Sequence, residues 1–237
     1  CGGAGYRDGG HGTAGAQLMP LLTAGPSRFL GGGAKWWQVP GATCIAAYQP
    51  KGAADLAASY VNLANPGTYN AAPGVAPTLG ANGWVFNGST QYLLSGVLIN
   101  GSTHSVVARF SGATTSNALF GVLRSGMAYV VFPYNGASSI NWQLTTGTAG
   151  TTVAPAAASG VLAMIPGHGG YRNGVIDIAL AGVAVTASAP LAIGARNWDG
   201  TIISYSAITV TAVAIYSDNP ATVAANIVAL TTRMQAL

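Results

Sequence analysis

The sequence contains no glutamate and little charge of either sign. All five acidic residues are aspartates, charged residues make up 6% of the 237 positions, and the formal net charge is +4. The basic residues are scattered along the chain, whereas nucleic-acid binding usually needs a concentrated basic face. No nucleic-acid partner is therefore predicted.

Long hydrophobic runs are also missing. Half of the residues are hydrophobic, yet the sequence has no stretch of about 18 consecutive apolar residues, so no membrane span is predicted. The apolar content is largely Ala and Val interleaved with Gly, Thr and Ser. This composition favours tightly packed strands and turns.

The residue patterns that carry metal or nucleophilic chemistry are scarce. The two cysteines lack metal-ligand spacing, and Cys44, in the apolar run TCIAAY, is predicted to be a small buried hydrophobe. The three histidines show no metal-site spacing, and the G-x-S-x-G turn of many serine hydrolases is absent. We therefore predict no cofactor and no metal site.

Strand-like runs recur at about ten-residue spacing and are separated by Gly-rich turns. This arrangement predicts an all-β sandwich or jelly roll. We expect a short strand at 44–50 and a pair of strands at 118–126 and 127–136, the second of which ends in an Asn-Gly turn.

The stretch GWVFNGSTQYLLSG, residues 83–96, places apolar runs on both sides of Asn87-Gly88. An Asn-Gly step between such runs is a strong signal for a β-hairpin. We therefore predict a hairpin here. Trp84 and Phe86 are two residues apart, so both should lie on the same, buried face.

The C-terminal segment has a different period. Asp218 is predicted to cap a helix that has Pro220 in its first turn. Apolar residues then recur at helical spacing, which predicts one face packed on the body of the protein. These residues are Val223, Ile227, Leu230 and Met234.

The N-terminal segment carries no hydrophobic period and is rich in glycine. We predict that residues 1–35 form a flexible leader and that residues 36–237 form the folded domain. Met19-Pro20 is a candidate for the natural start, and residues 1 to about 18 are predicted to be dispensable.

Several motifs in order resemble the concanavalin A-like lectin/glucanase superfamily, in its laminin-G-like branch. They are G-W-x-F-N-G-S-x-Q-Y-L at 83–93, Y-R-N-G-V at 171–175, L-A-I-G-A-R at 191–196 and A-V-A-I-Y-S at 212–217. The resemblance covers about residues 36–237. It implies a jelly-roll sandwich of two antiparallel sheets, one of them concave, with a short C-terminal helix. Members are mostly glycan- or protein-binding modules, and a minority are retaining glycoside hydrolases.

A second resemblance concerns the segment MPLLTAGPSRFLGGG, residues 19–33, which is similar to the start of compact bacteriophage and environmental proteins. It suggests a phage structural or adhesion protein with an extracellular or virion-associated location.

Aromatic residues beside polar groups are the best candidates for contacting a ligand. An aromatic ring offers a large apolar surface, and neighbouring Arg or amide groups supply hydrogen bonds. Core packing is the commoner role of any single aromatic, but placement in a loop favours a functional one. Trp36, Trp37 and Trp142 are further aromatic candidates. The predicted ligand-binding residues are Trp198, Arg196, Asn197, Tyr171, Arg172 and Tyr134.

A glycoside hydrolase needs two carboxylates that flank the scissile bond. Hydrolases of the superfamily carry an E-x-D-x-E strand motif, which is absent because the chain has no glutamate. Asp177 and Asp199 are the remaining candidates for a catalytic pair. We favour an outward-facing strand position for Asp177 and a turn-forming role with Gly200 for Asp199.

Three functional hypotheses remain. The leading one is a carbohydrate- or surface-binding lectin-like module that recognises a glycan or cell-surface ligand. The second is a small glycoside hydrolase that uses Asp177 and Asp199. The third is a self-assembling structural protein, because interface cores are depleted in charge, and it would make the protein a homo-oligomer.

Overall fold

The computed structural model describes residues 1–3, 35–136, 138–147 and 149–237. The predicted leader, residues 1–35, lies outside the described residues except at its two ends. From residue 34 onward the chain forms one unit. Its described strands are β1 (Cys44–Tyr48), β2 (Ala72–Val75), β3 (Thr78–Gly80), β4 (Gly83–Val85), β5 (Tyr92–Leu94), β6 (Ser105–Ser111), β7 (Phe120–Arg124), β8 (Met127–Asn135), β9 (Ser139–Thr145), β10 (Thr151–Val153), β11 (Gly160–Ile165), β12 (Gly169–Arg172), β13 (Val175–Ile178), β14 (Ala192–Ile193), β15 (Arg196–Trp198), β16 (Thr201–Ile203) and β17 (Thr209–Tyr216).

Three short helices accompany these strands in the described part of the chain. They are α1 (Leu56–Ser59), α2 (Pro220–Ala225) and α3 (Ile227–Gln235). Asp55 caps α1 by accepting a hydrogen bond from Ala58 N at 2.7 Å. None of the helices in the described ranges is long and apolar enough to cross a membrane.

The strands form two sheets, and the predicted all-β sandwich is confirmed. Sheet A has the order β13-β12-β11-β6-β17-β4-β3, with β1 also paired to β17. Sheet B has the order β10-β9-β8-β7-β14-β5-β2, and the β15–β16 hairpin joins it beside β7. The described pairs are antiparallel except β15 with β7, which is parallel.

Alternation along each strand divides the residues between the core and the two outer faces. On β9, Ile140, Trp142 and Leu144 belong to the main apolar cluster, whereas Asn141 and Gln143 do not. Adjacent side chains of a strand point to opposite faces, so the two amides lie on the outer face of sheet B. The main core is therefore the layer between the sheets.

A second apolar cluster covers the outer face of sheet A. The predicted apolar face of the C-terminal helical segment is confirmed, although the segment is divided at Asn226 into α2 and α3. Its buried residues pack with outward residues of β6, β11 and β17, and with Trp36 and Trp37. The helical residues in this cluster are Val223, Ile227, Leu230 and Met234.

The predicted hairpin at 83–96 is wrong. β4 pairs with β3 and β17 in sheet A, whereas β5 pairs with β2 and β14 in sheet B. The segment is thus a crossover between the sheets, because both apolar runs find better partners elsewhere. The Asn87 side chain accepts hydrogen bonds from the backbone of Ser89 and Thr90, which makes the turn a local feature only.

Burial of the two aromatics in this segment is confirmed. Trp84 is 0% exposed and Phe86 is 2% exposed, and both belong to the core between the sheets. The Trp84 indole also donates a hydrogen bond to Ser59 Oγ at 2.7 Å. The two-residue spacing therefore predicted the buried face of Trp84 and Phe86 correctly, although the predicted pairing of β4 with β5 was wrong.

The predicted helix cap at Asp218 is also wrong. Its carboxylate accepts hydrogen bonds from Thr43 N and Thr43 Oγ1, both at 2.7 Å, and so joins the helix entry to β1. These two bonds lower the pKa of Asp218. Asn219, in a left-handed conformation with φ 45°, is the residue that precedes α2.

Candidate ligand-binding face

The outer face of sheet B brings together apolar, aromatic and polar side chains from four neighbouring strands. The register of β8 and β9 places Phe132 opposite Asn141 and Val130 opposite Gln143. On the other side of β8, β7 leads to β15, where Trp198 pairs with Leu123. We call this surface, made by Phe132, Asn141, Gln143, Arg196 and Trp198, the Arg196 face.

Arg196 is the centre of this face. Its guanidinium carbon lies 5.7 Å from the ring centroid of Phe132 and 5.8 Å from that of Trp198. Both distances are within the range of cation–π attraction. Burial lowers the pKa of Arg196, but an arginine still carries its charge at neutral pH. Its Nε is buried and has no hydrogen-bond partner in the described part of the chain.

The two amides that β9 contributes to this face also have unsatisfied polar atoms. Asn141 Oδ1 and Gln143 Oε1 are buried and lack hydrogen-bond partners within the described ranges. Gln143 is only 7% exposed, so its lone carbonyl is costly to leave unpaired. Gly150 packs against both amide side chains, since a Cβ at that position would lie 2.0 Å from Asn141 Oδ1 and 2.5 Å from Gln143 Cγ. Buried polar groups of native folds are normally hydrogen-bonded to protein or to ordered water.

Trp198 provides the exposed part of the face. Its side chain is 47% exposed, unlike the other four tryptophans of the chain, which are buried. A tight turn holds it, because Asp199 and Gly200 both have positive φ, 47° and 95°. Two successive positive φ angles define the hairpin turn whose twist matches paired strands. The expected turn-forming role of Asp199 is thus seen in the structure.

A pocket of about 420 Å³ adjoins this hairpin. It is lined by β5 residues Tyr92 and Leu94, by the segment 188–190 and by Asp199. Asp199 accepts a hydrogen bond from Ser188 Oγ. Asn197 also borders the pocket, but its side chain donates to Pro190 O and accepts from Gly200 N, so both amide atoms have backbone partners.

The other predicted residues lie elsewhere. Tyr171 and Arg172 are on β12 of sheet A, and Asp177 is on its edge strand β13. Arg172 forms an ion pair with Asp177, with NH2 2.8 Å from Oδ1, and donates to Pro155 O at 2.7 Å. Tyr134, near the end of β8, is half-buried against the core between the sheets. The structure therefore joins Arg196, Asn197 and Trp198 at one hairpin and separates them from Tyr171 and Arg172.

Three tryptophans among the aromatic candidates are structural. Trp142 is fully buried between the sheets, and Trp36 and Trp37 pack under the C-terminal helices. Conversely, the sequence pattern did not predict a role for Phe132, Asn141 or Gln143. The alternation in SINWQLT, with Asn141 and Gln143 on one face, would have identified the two amides. Phe132 needed the cross-strand register, since nothing local separates it from a core aromatic.

Among the described residues, no group of three or more His, Cys, Asp or Glu side chains is placed so that it could hold a metal ion. His104 has a structural role, because its Nδ1 accepts a hydrogen bond from Asn100 N at 3.2 Å. His168 lies in the turn between β11 and β12.

The fold resembles those of several solved structures. A Trypanosoma rangeli sialidase in complex with sialic acid has a TM-score of 0.56 at 14% identity, covering 82% of this chain and 34% of the sialidase. The same sialidase with 2,3-difluoro-KDN gives 0.54 at 16% identity, covering 90% and 36%. Domain 4 of a GH43 extracellular arabinanase from Geobacillus stearothermophilus, in complex with arabinotriose, gives 0.49 at 15% identity, covering 80% and 98%.

These identities establish likeness of fold alone, and this chain spans about a third of the sialidase chains. A scan against protein-family models gives no match, and a search of curated proteins gives no significant match.

Proposed function

We propose that this protein is a carbohydrate-binding module of the concanavalin A-like, laminin-G-like type and that the Arg196 face binds the glycan. The observation that carries the proposal is the guanidinium of Arg196 held between the rings of Phe132 and Trp198. A guanidinium fixed in this way loses little conformational freedom when it forms hydrogen bonds with a ligand.

The chemistry of the face suits a sugar ring. The half-exposed Trp198 indole offers an apolar surface for the C–H groups of a pyranose. The N–H groups of Arg196 donate to hydroxyl or carboxylate oxygens. This combination of one exposed ring and one oriented donor is typical of small polar binding sites, in which a few placed polar groups fix the ligand's orientation.

Known complexes of the same fold class support a glycan as the ligand. The sialidase of similar fold was solved with sialic acid bound. Fold does not determine function by itself, so the proposal rests on the Arg196 face and takes only the ligand class from this comparison.

Glycan-array binding of the wild type, Trp198→Ala and Arg196→Gln tests the proposal. Both changes should weaken binding by tenfold or more, as is usual for central aromatic and arginine contacts. Val175→Ala is the matched control, because Val175 is exposed on the edge strand of the other sheet. Wild-type binding that both variants retain, or a failure of the wild type to bind any glycan, would contradict the proposal.

The hydrolase alternative has less support. Asp177 lies at the edge of sheet A and Asp199 at a turn of sheet B, and the pocket beside Asp199 has no lining residue from β13. Paired carboxylates must face one scissile bond. Aryl glycosides assayed with the wild type, Asp177→Asn and Asp199→Asn decide the matter. Turnover abolished by one of these changes in a folded variant would establish hydrolysis.

The self-assembly alternative is favoured by one feature. On β13, Val175 is 68% exposed and Ile176 is 52% exposed, and Val228 of α3 is 65% exposed. An exposed apolar edge strand is a site for pairing with another chain. Sedimentation over a range of concentrations, with Ile176→Lys as the variant, would reveal a homo-oligomer. A virion-associated or extracellular adhesion role is compatible with either the binding or the assembly function.

A further inference from the structure

A second pocket, on the outer face of sheet A, lies at the end of α3. It has a volume of about 400 Å³, and both cationic and uncharged polar side chains line it. Six of the lining residues are Lys51, Asn82, Arg109, Ser159, Thr211 and Gln235.

A β-bulge forms one wall of this pocket. Where β17 pairs with β6, Val210 faces Phe110 and Ala212 faces Arg109, so Thr211 is an extra residue in the ladder. A bulge of this kind redirects a side chain and interrupts regular pairing. Thr211 is 5% exposed and lines the pocket. The bulge therefore brings to the pocket wall a threonine, whose hydroxyl group can donate a hydrogen bond.

The turn before β4 packs closely against this bulge. A Cβ at Gly83, which has φ 122°, would lie 2.1 Å from Val210 O. Only glycine allows such an approach without displacing the backbone. The neighbouring Asn82 thereby becomes part of the pocket wall.

The pocket carries uncompensated positive charge. Arg109 is oriented by a hydrogen bond from NH1 to Met234 O at 2.7 Å, and its other N–H groups remain for a ligand. No carboxylate lines the pocket. In the described part of the chain, the one ion pair joins Arg172 to Asp177, so neither Lys51 nor Arg109 has an acidic partner there.

We propose that this pocket binds an oxyanion, that is, a carboxylate, sulfate or phosphate group on a ligand no larger than a monosaccharide. Two cations attract the anion, and the guanidinium fork, the Thr211 hydroxyl and the Asn82 amide supply hydrogen-bond donors. Pockets of a few hundred Å³ accommodate small ligands. The site is on the opposite sheet from the Arg196 face, so it does not depend on glycan binding there.

The chain permits a direct test because Lys35 and Lys51 are its only lysines. Reductive methylation with ¹³C-formaldehyde keeps the charge and labels both side chains. Lys35 is the internal control, since its Nζ lies 5.4 Å from the Trp37 ring, away from the pocket. Sulfate, phosphate, acetate and glucuronate, with neutral glucose for comparison, are titrated in low-salt chloride buffer, because salt screens exposed charges.

The expected result is a saturable shift of the Lys51 dimethyl signal with the anions and no saturable shift with glucose or at Lys35. Saturation by glucuronate at a lower concentration than by acetate identifies an acidic sugar as the source of the carboxylate. Saturation by sulfate or phosphate at a concentration as low as that of glucuronate identifies a free oxyanion as the ligand. Equal shifts at the two lysines, or none that saturates, would overturn the proposal.

Stability measurements give a second readout that does not need the label. An anion that binds only the folded state raises the melting temperature. Thr211→Val and Lys51→Gln should each weaken the anion's apparent affinity by about tenfold, the usual effect of losing a hydrogen bond to a charged group. Thr209→Val on the same strand and Lys35→Gln are the matched controls. An undiminished anion effect in both pocket variants would refute the assignment.

Discussion

Glycine residues decide where the largest side chains of this protein fit. Gly170 on β12 lies against Trp142, and a Cβ at that position would be 2.6 Å from ring atom Cδ2. Trp142 is fully buried, so the ring cannot move into solvent. The space that Gly170 leaves is therefore part of the packing of the core.

Gly170→Ala should destabilise the fold by about 1–3 kcal/mol, the usual cost of overpacking. Gly147→Ala is the control, because a Cβ there meets no atom within 4 Å, and it should change stability by less than about 0.5 kcal/mol. Urea unfolding of both variants measures the difference. Equal stability of the two variants would show that the ring of Trp142 relaxes at no cost.

The two cysteines have different environments, and this predicts their reactivity. Burial raises the pKa of the Cys44 thiol to about 12, so at pH 8 the thiol stays protonated in the folded protein. The thiolate is the reactive form, and Cys1 is exposed. A disulfide reagent at pH 8 should modify Cys1 rapidly and Cys44 only after denaturant is added. Rapid modification of both in the native protein would contradict this.

At the scale of elements, the C-terminal helical segment stabilises the outer face of sheet A. Leu230 is 0% exposed within the second apolar cluster, and Val228 on the same helix is 65% exposed. The Arg233 side chain also donates hydrogen bonds to Trp36 O at 3.0 Å and Gln38 O at 2.9 Å. The helix thus holds the segment that leads into β1.

Leu230→Ala should cost about 2–5 kcal/mol of unfolding free energy, because it leaves a cavity in this cluster. Val228→Ala, two residues away on the exposed side of the helix, should have an effect within about 0.5 kcal/mol. Denaturant melts of the two variants provide the comparison. A similar loss in both would mean that Val228 is covered in the protein as it exists in solution.

At the scale of the whole molecule, residues 1–18 are rich in glycine and carry no hydrophobic period. A segment of this composition offers too little apolar surface to offset the conformational entropy lost when it becomes ordered. A protein that begins at Met19 should therefore keep its melting temperature within a few degrees of the full chain. Differential scanning calorimetry of the two proteins measures this, and loss of soluble folded protein on shortening would refute it.

The sequence by itself determined the features that depend on local spacing. Short strand-like runs separated by Gly-rich turns predicted the all-β sandwich, a residue spacing of two placed Trp84 and Phe86 in the core, and the helical period predicted the buried face of the C-terminal segment. Each of these signals reflects the geometry of a single element, since side chains repeat every two residues in a strand and every 3.6 in a helix.

The tertiary structure alone decided how these elements meet. Asn87-Gly88 produces a turn, but the partners of β4 and β5 were fixed by long-range pairing in two different sheets. Arg196 contacts Phe132 only because β15 joins sheet B beside β7, and Lys51 and Arg109 share a pocket although they are far apart in the chain. Strand pairing depends on burial summed over both sheets, which no short window of sequence contains.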